Sequence, residues 1–175
     1  MIKEISTRVR STNGYARGVC LGLFITSLAV FLLSGVLGSH RGVVSLIGVI
    51  FMCAGIMIYT RYIAPEYYYD VTFDADGVPV FVARQITGRR ASTLCRVSLS
   101  DVTSVTRETA AERRAHKTPY GVKKYSYTPT LNPAVTYRIS TVSPYESAEI
   151  VIEVTDEYAD MLREYVNEAK NKDFT

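Results

Sequence analysis

The chain has 175 residues, of which 47% are hydrophobic and 21% charged, with 13 tyrosines, no tryptophan and a formal net charge of +3. This length suits one domain, or a small domain with an appendage. The apolar fraction excludes a disordered chain. Three cysteines are too few for a disulfide framework or for a zinc site of their own.

Two long stretches near the N-terminus contain no charged residue. They cover residues 18–39 and 42–60, and as helices they would extend about 33 and about 28 Å, close to the ~30 Å hydrocarbon core of a bilayer. One alternative is a pair of buried core helices, but a small soluble domain could hardly bury two helices that are apolar on every face. Another is a cleaved signal, which has a shorter apolar core. We therefore predict transmembrane helices at 18–39 and 42–64, ended by Pro65.

A very short turn at residues 40–41 makes these helices an antiparallel hairpin. Five basic residues flank the open ends of the hairpin, and one lies in the turn. They are Lys3, Arg8, Arg10, Arg17 and Arg61 on one side and Arg41 on the other. The positive-inside rule therefore predicts a multi-pass cell-membrane protein with an extracytosolic turn, both termini in the cytosol and a basic cytosolic tail over 1–17. Tyrosines at the open ends, Tyr67 to Tyr69 among them, would form an interfacial belt.

Small residues recur inside the two predicted helices. Those that we expect to permit close helix packing are Gly18, Gly22, Ser34, Gly38, Gly48 and Gly55. Packing within the hairpin is the favoured interpretation, and a homo-oligomer formed through the hairpin is the alternative. No Asp, Glu, Lys or Arg lies within either stretch, which argues against an ion or proton pathway.

The remainder, 65–175, is predicted to be a separate cytosolic domain. Alternating apolar and polar residues and turn signals predict six or seven antiparallel strands. The polar, basic residues 110–124 are expected to form a mobile loop. After Thr155 as N-cap, an apolar stripe predicts a closing amphipathic helix. The residues of that stripe are Tyr158, Met161, Leu162, Tyr165, Val166 and Ala169.

This order of elements resembles a pleckstrin-homology-like (PH-like) barrel. The chain is similar to small bacterial membrane proteins with a two-helix hairpin and a PH-like cytosolic domain, over about residues 18 to 172. The resemblance is carried by Arg96–Val102, by Lys124–Tyr127 before Asn132 and Pro133, and by Tyr145 before Ile150–Val154 and the closing helix. It implies a mainly β barrel anchored by a transmembrane hairpin, and it implies no activity.

The sequence offers little catalytic chemistry. His40 and His116 are the only histidines, and the calcium-loop fragment at Asp74 to Gly77 lacks its closing acids. There is no nucleophile motif, phosphate-binding glycine loop or paired cysteine motif. We therefore predict that the protein is not an enzyme and that it has no cofactor and no metal site.

The charged residues of the C-terminal part are divided into a basic block and an acidic block. From Arg84 to Lys124 there are ten basic and three acidic residues, whereas 146–173 holds nine acidic and three basic ones. The basic block could face anionic lipid, or the two blocks could neutralise one another in the fold, which we favour slightly. Nucleic-acid binding ranks lower. The candidate lipid or partner contacts are Arg113, Arg114, Lys117, Lys123 and Lys124.

Three functional classes follow from these observations. The favoured class is a membrane-anchored, non-catalytic module whose PH-like domain binds a protein partner beside the bilayer. The alternatives are a domain that responds to anionic lipid and an accessory subunit of a larger membrane complex, held through the hairpin.

Overall fold

The computed structural model describes residues 3–9, 14–36, 40–143 and 146–172. It divides into two compact units. The described parts of the first, here called the sheet unit, are residues 3–9 and 66–172, and those of the second, the helical hairpin, are 14–36 and 40–65. The sheet unit thus combines the N-terminal residues with the C-terminal two thirds of the chain.

The helical hairpin contains two helices, α1 (Tyr15–Ser34) and α2 (Arg41–Ile58), followed by a π-helical turn at Tyr59–Ile63. Both are long and apolar enough to cross a membrane, with hydropathies of 2.0 and 2.3 over Tyr15–Ser34 and Arg41–Ile63. Only 17% and 11% of these spans are buried within the chain, unlike a core helix of a soluble domain. The predicted bounds differ by a few residues, and residues 37–39 lie outside the described chain.

Within the described residues, eight strands form two four-stranded sheets. The first sheet has the order β1-β2-β3-β4 and the second β5-β7-β8-β6. The strands are β1 (Ile5–Val9), β2 (Pro65–Phe73), β3 (Pro79–Thr87), β4 (Arg90–Ser98), β5 (Val102–Thr109), β6 (Lys123–Ser126), β7 (Val135–Val142) and β8 (Ser147–Ile152). The sheets do not close into a barrel, so the structure shows a helix-plus-sheet class without the predicted closure.

Two features of the sheets depart from the predicted six or seven antiparallel strands: the described residues form eight strands, and one pair is parallel. β1 lies within the predicted N-terminal tail, where Ile5 pairs with Val71 and Val9 with Tyr67 of β2. The chain therefore leaves and re-enters the sheet unit at neighbouring points. β6 pairs with β8 in parallel, whereas β7, which lies between them in the sequence, runs antiparallel to β8.

The core lies between the sheets and the last helix, α4 (Asp156–Lys172). Tyr67 and Tyr69 are fully buried there, so their predicted place in an interfacial belt is wrong. Thr155 caps α4 as predicted, because its Oγ1 accepts from the Tyr158 N–H at 3.3 Å. Leu162 and Val166 face the core, whereas Met161 is 38% exposed and Ala159 is buried in its place.

Candidate functional site

The predicted mobile loop at 110–124 is a structured segment. It begins with a short helix, α3 (Ala110–Ala115). Thr109 caps the N-terminus of this helix in a capping box with Glu112. The Thr109 N–H donates to the Glu112 carboxylate at 2.8 Å, and the Glu112 N–H donates to Thr109 Oγ1 at 3.3 Å. The bond from the Thr109 backbone holds the pKa of Glu112 below its usual range. This pattern of Thr and Glu three residues apart is legible in the sequence.

The covering segment, residues 110–122, is tied to the second sheet. Arg113 donates through Nη1 to Thr136 Oγ1 at 3.2 Å and through Nη2 to the Pro133 carbonyl at 3.0 Å. Both faces of β8 are buried, with Ile150 and Ile152 facing the core and Val151 on the opposite face. The predicted loop is therefore a helix over Ala110–Ala115, whereas residues 116–122 form no helix or strand.

A charged cluster lies under the covering segment. Arg138 of β7 forms ion pairs with Glu108 of β5 and, at 3.7 Å, with Glu149 of β8. His116 Nε2 lies 2.9 Å from Glu149 Oε1, and its Nδ1 lies 2.7 Å from Arg138 Nη1. Because an arginine can only donate, Nδ1 accepts and Nε2 carries the proton that is donated to Glu149.

This cluster attaches the covering segment and occupies both ring nitrogens of His116. Burial raises the pKa of Glu149, but hydrogen bonds from His116 and Thr118 and the charge of Arg138 outweigh burial and place the pKa below its usual range. To act as a general base, His116 would need a ring nitrogen free to face a substrate. Both ring nitrogens of His116 are occupied, so the arrangement supports a structural role.

The five predicted contact residues separate into two groups. Arg113 is bound to the second sheet, and Lys123 pairs with Glu146 at 3.2 Å. Arg114, Lys117 and Lys124 are exposed, and no ion pair involves them within the described part of the chain. Composition identified the basic residues, whereas only the fold separates bound cations from free ones.

An open groove of about 340 Å³ lies between β4 and the inner face of the second sheet. Strand β4 contributes Leu94 to Ser98, and the sheet contributes Tyr125, Ala148 and Ile150. Tyr125 and Tyr127 lie along one wall, with nearly parallel rings whose centroids are 6.2 Å apart. The groove is therefore a cleft of mixed lining, in which the two tyrosines lie beside apolar and polar side chains, Asp101 and Glu146 among them.

Polar contacts define the ends and rims of the groove. The Tyr127 hydroxyl donates to the Leu94 carbonyl at 3.3 Å, bridging the two sheets. The Tyr125 hydroxyl donates to Glu146 at 3.0 Å, and this bond raises the pKa of Tyr125. Hydrogen bonds from Lys123 and from Tyr125 lower the pKa of Glu146. Burial raises the pKa of Cys95 to about 11, so this thiol is protonated and unreactive at neutral pH.

The sequence did not reveal the groove. The alternation of Tyr125 and Tyr127 with Ser126 signals one shared face of a strand. That this face remains uncovered depends on the pairing of distant strands, which has no local sequence signal.

The predicted packing glycines also separate into two groups. A Cβ on Gly48 would lie 3.2 Å from the Phe31 ring, and one on Gly55 would lie 3.3 Å from the Phe24 ring. Ser34 bonds to the Phe31 carbonyl of its own helix. A Cβ on Gly18 or Gly22 would meet no neighbouring atom within 4 Å. Gly38 lies outside the described residues. Close packing within the hairpin thus uses the glycines of α2.

Comparison with known proteins adds no identity. No family model matches the sequence, and no curated protein matches it. Within the described ranges, no group of three or more His, Cys, Asp or Glu side chains could hold a metal ion.

Proposed function

We propose that the chain is a membrane-anchored, non-catalytic interaction module. In this proposal α1 and α2 cross the membrane, with both termini and the PH-like sheet unit in the cytosol. The observation that carries the proposal is the groove, where the partly exposed side chains of Val97, Tyr125 and Tyr127 lie beside the free edge of β4. A cleft in which aromatic side chains meet a few polar groups is a usual setting for binding.

The hairpin supports the anchoring part of the proposal. The exposed side chains of α1 and α2 are largely apolar, with Leu32 69% and Met57 71% exposed. Such surface is unfavourable in water and favourable in hydrocarbon. The basic residues at the open ends of the hairpin support the cytosolic placement.

Photocrosslinking in native membranes tests this function. A benzophenone amino acid would replace Val97 in the groove or, as a control, the exposed Ser104 on β5. We expect a discrete crosslinked protein species from position 97 only, and we expect Tyr125→Ala, which removes part of the aromatic wall of the groove, to weaken it. Equal crosslinking from both positions, or none from position 97, would contradict the proposal.

A lipid-responsive domain is the second candidate, favoured by the free cations Arg114, Lys117 and Lys124. The test is binding of the full chain, in neutral-lipid nanodiscs, to vesicles rich in anionic lipid. Here we expect binding that weakens as the Debye length falls from about 10 Å at 0.1 M salt to about 3 Å at 1 M. Changing all three residues to Gln should remove the binding, and equal retention of parent and variant would exclude this candidate.

A further inference from the structure

We propose that the groove binds a basic side chain of a partner protein, with arginine favoured over lysine. This inference rests on the proposed function and names the chemistry by which the partner is recognised. It is carried by three features of the lining: a carboxylate without a counterion, two partly exposed tyrosine rings and an apolar floor.

The charged side chains of the groove leave one negative charge without a counterion. Asp101, Glu146 and Arg96 line the groove. Arg96 pairs with Asp74 at 2.8 Å, and Glu146 pairs with Lys123 at 3.2 Å. Asp101 is half-buried and forms no ion pair within the described part of the chain. A cation in the groove would therefore gain a charge-assisted hydrogen bond, whereas an anion would be repelled.

The tyrosine wall of the groove also favours a cation. Tyr125 and Tyr127 are both partly exposed, and their nearly parallel rings have centroids 6.2 Å apart. The face of an aromatic ring carries negative charge density, which attracts the head group of a lysine or an arginine. Arginine is favoured because its planar guanidinium stacks on such a ring while its N–H groups donate to a carboxylate.

The floor and the size of the groove suit one long side chain. Ala148 is 8% exposed and Ile150 is 2% exposed, so the floor is closed and apolar. The methylene stem of an arginine packs on apolar surface while its charged head reaches polar groups. A volume of about 340 Å³ accommodates such a side chain more readily than a whole peptide segment.

Two probes of nearly equal shape and different charge test this chemistry on the full chain in neutral-lipid nanodiscs. They are arginine and citrulline, each capped with an N-acetyl group and a C-terminal N-methylamide. Citrulline carries a neutral urea in place of the guanidinium. Binding is measured by saturation-transfer NMR, with empty nanodiscs as the blank and capped lysine as a third probe.

We expect the arginine probe to bind at least about fivefold more tightly than the citrulline probe, with the lysine probe between them. Asp101→Asn should weaken binding of the arginine probe several-fold. Asp76→Asn is the matched control and should not, because Asp76 is exposed and does not line the groove. The circular dichroism of both variants shows whether they are folded, and the comparison of probes on the parent chain needs no variant.

Three results of the probe measurements would overturn the chemistry. Equal binding of arginine and citrulline, or binding of neither, overturns the recognition of a cation. Tighter binding of lysine than of arginine overturns the preference for a guanidinium. Equal effects of Asp101→Asn and Asp76→Asn, with both variants folded, overturn the role of Asp101.

Crosslinking in native membranes separates a side chain of a partner from a free small cation. The species captured from position 97 should weaken in Asp101→Asn and stay unchanged in Asp76→Asn. If the arginine probe binds but Asp101→Asn leaves the crosslink unchanged, the assignment to a partner is overturned in favour of a free organic cation. If position 97 captures nothing, the proposed function and the assignment to a partner both fail, and the probes decide the chemistry of the groove separately.

Discussion

Glu149 is the residue on which the covering segment depends most. Its carboxylate accepts from His116 and from Thr118, the latter at 3.0 Å, and it lies beside the Arg138 guanidinium. Because its side chain is only 7% exposed, few of these bonds can be replaced by water. Buried, hydrogen-bonded charges are costly to leave without a partner.

We expect Glu149→Gln to lower the stability of the sheet unit by about 2–3 kcal/mol at pH 7. The pKa of Glu149 lies below its ordinary value of 4.5. A depressed folded-state pKa contributes stability above the unfolded pKa, and that stability is lost as the pH falls through the folded value. The difference between parent and variant should therefore shrink below about pH 4.

The measurement is thermal unfolding of the full chain in nanodiscs, followed by near-ultraviolet circular dichroism at pH 7 and pH 3. Glu146→Gln is the matched control, because Glu146 pairs with Lys123 at the surface, where ion pairs contribute little. Similar losses for both variants at pH 7 would show that the cluster does not hold the fold.

At the scale of residues, the sequence predicts the chemical type of a side chain more readily than the residues that it contacts. The basic residues of 110–124 are visible in the composition, yet Arg113 is bound and Arg114 is free. His116 has no sequence neighbour that marks its contact with Glu149, 33 residues away. Such contacts arise from strand order, which single-residue reasoning cannot supply.

At the scale of elements, the two helices of the hairpin pack through α2 glycines. Ser27 Oγ donates to the Gly48 carbonyl at 2.8 Å, and the Phe31 ring lies where a Gly48 side chain would extend. Small residues allow this approach where lipid provides no hydrophobic drive between helices.

We expect Gly48→Leu to lower the unfolding temperature of the hairpin in detergent, at a cost of about 1–3 kcal/mol from steric overlap. Gly22→Leu is the matched control and should cause no comparable loss, because Gly22 faces open space. The measurement is the loss of helical circular dichroism on heating. If Gly22→Leu destabilises the hairpin as much as Gly48→Leu, the packing described here is wrong.

Periodicity predicted the long elements and failed for those fixed by tertiary contacts. α4 and most strands of the sheet unit follow from local patterns. β1 was missed, although Ile5, Thr7 and Val9 alternate with exposed residues, because five residues carry a weak signal. The parallel β6 and the fixed covering segment depend on contacts with β8, which no local pattern contains.

At the scale of the whole molecule, the sequence predicted a helical hairpin and a separate mainly β unit, and the structure contains both. The closed barrel did not follow, because closure requires hydrogen bonds between edge strands far apart in sequence. The pairing of β1 with β2 adds a constraint: residues 3–9 and the C-terminal part of the chain belong to one folded unit. A membrane crossing by α1 and α2 then leaves both on one side.

The central claim is that the hairpin crosses the membrane and leaves the sheet unit in the cytosol. It is tested most directly by labelling single cysteines with a membrane-impermeant maleimide in intact cells, after Cys20, Cys53 and Cys95 are changed to Ser. We predict that His40→Cys, in the turn, is labelled from outside, whereas Ser104→Cys, on exposed β5, is labelled only after permeabilisation. Labelling of both positions from the same side of the membrane would contradict the account.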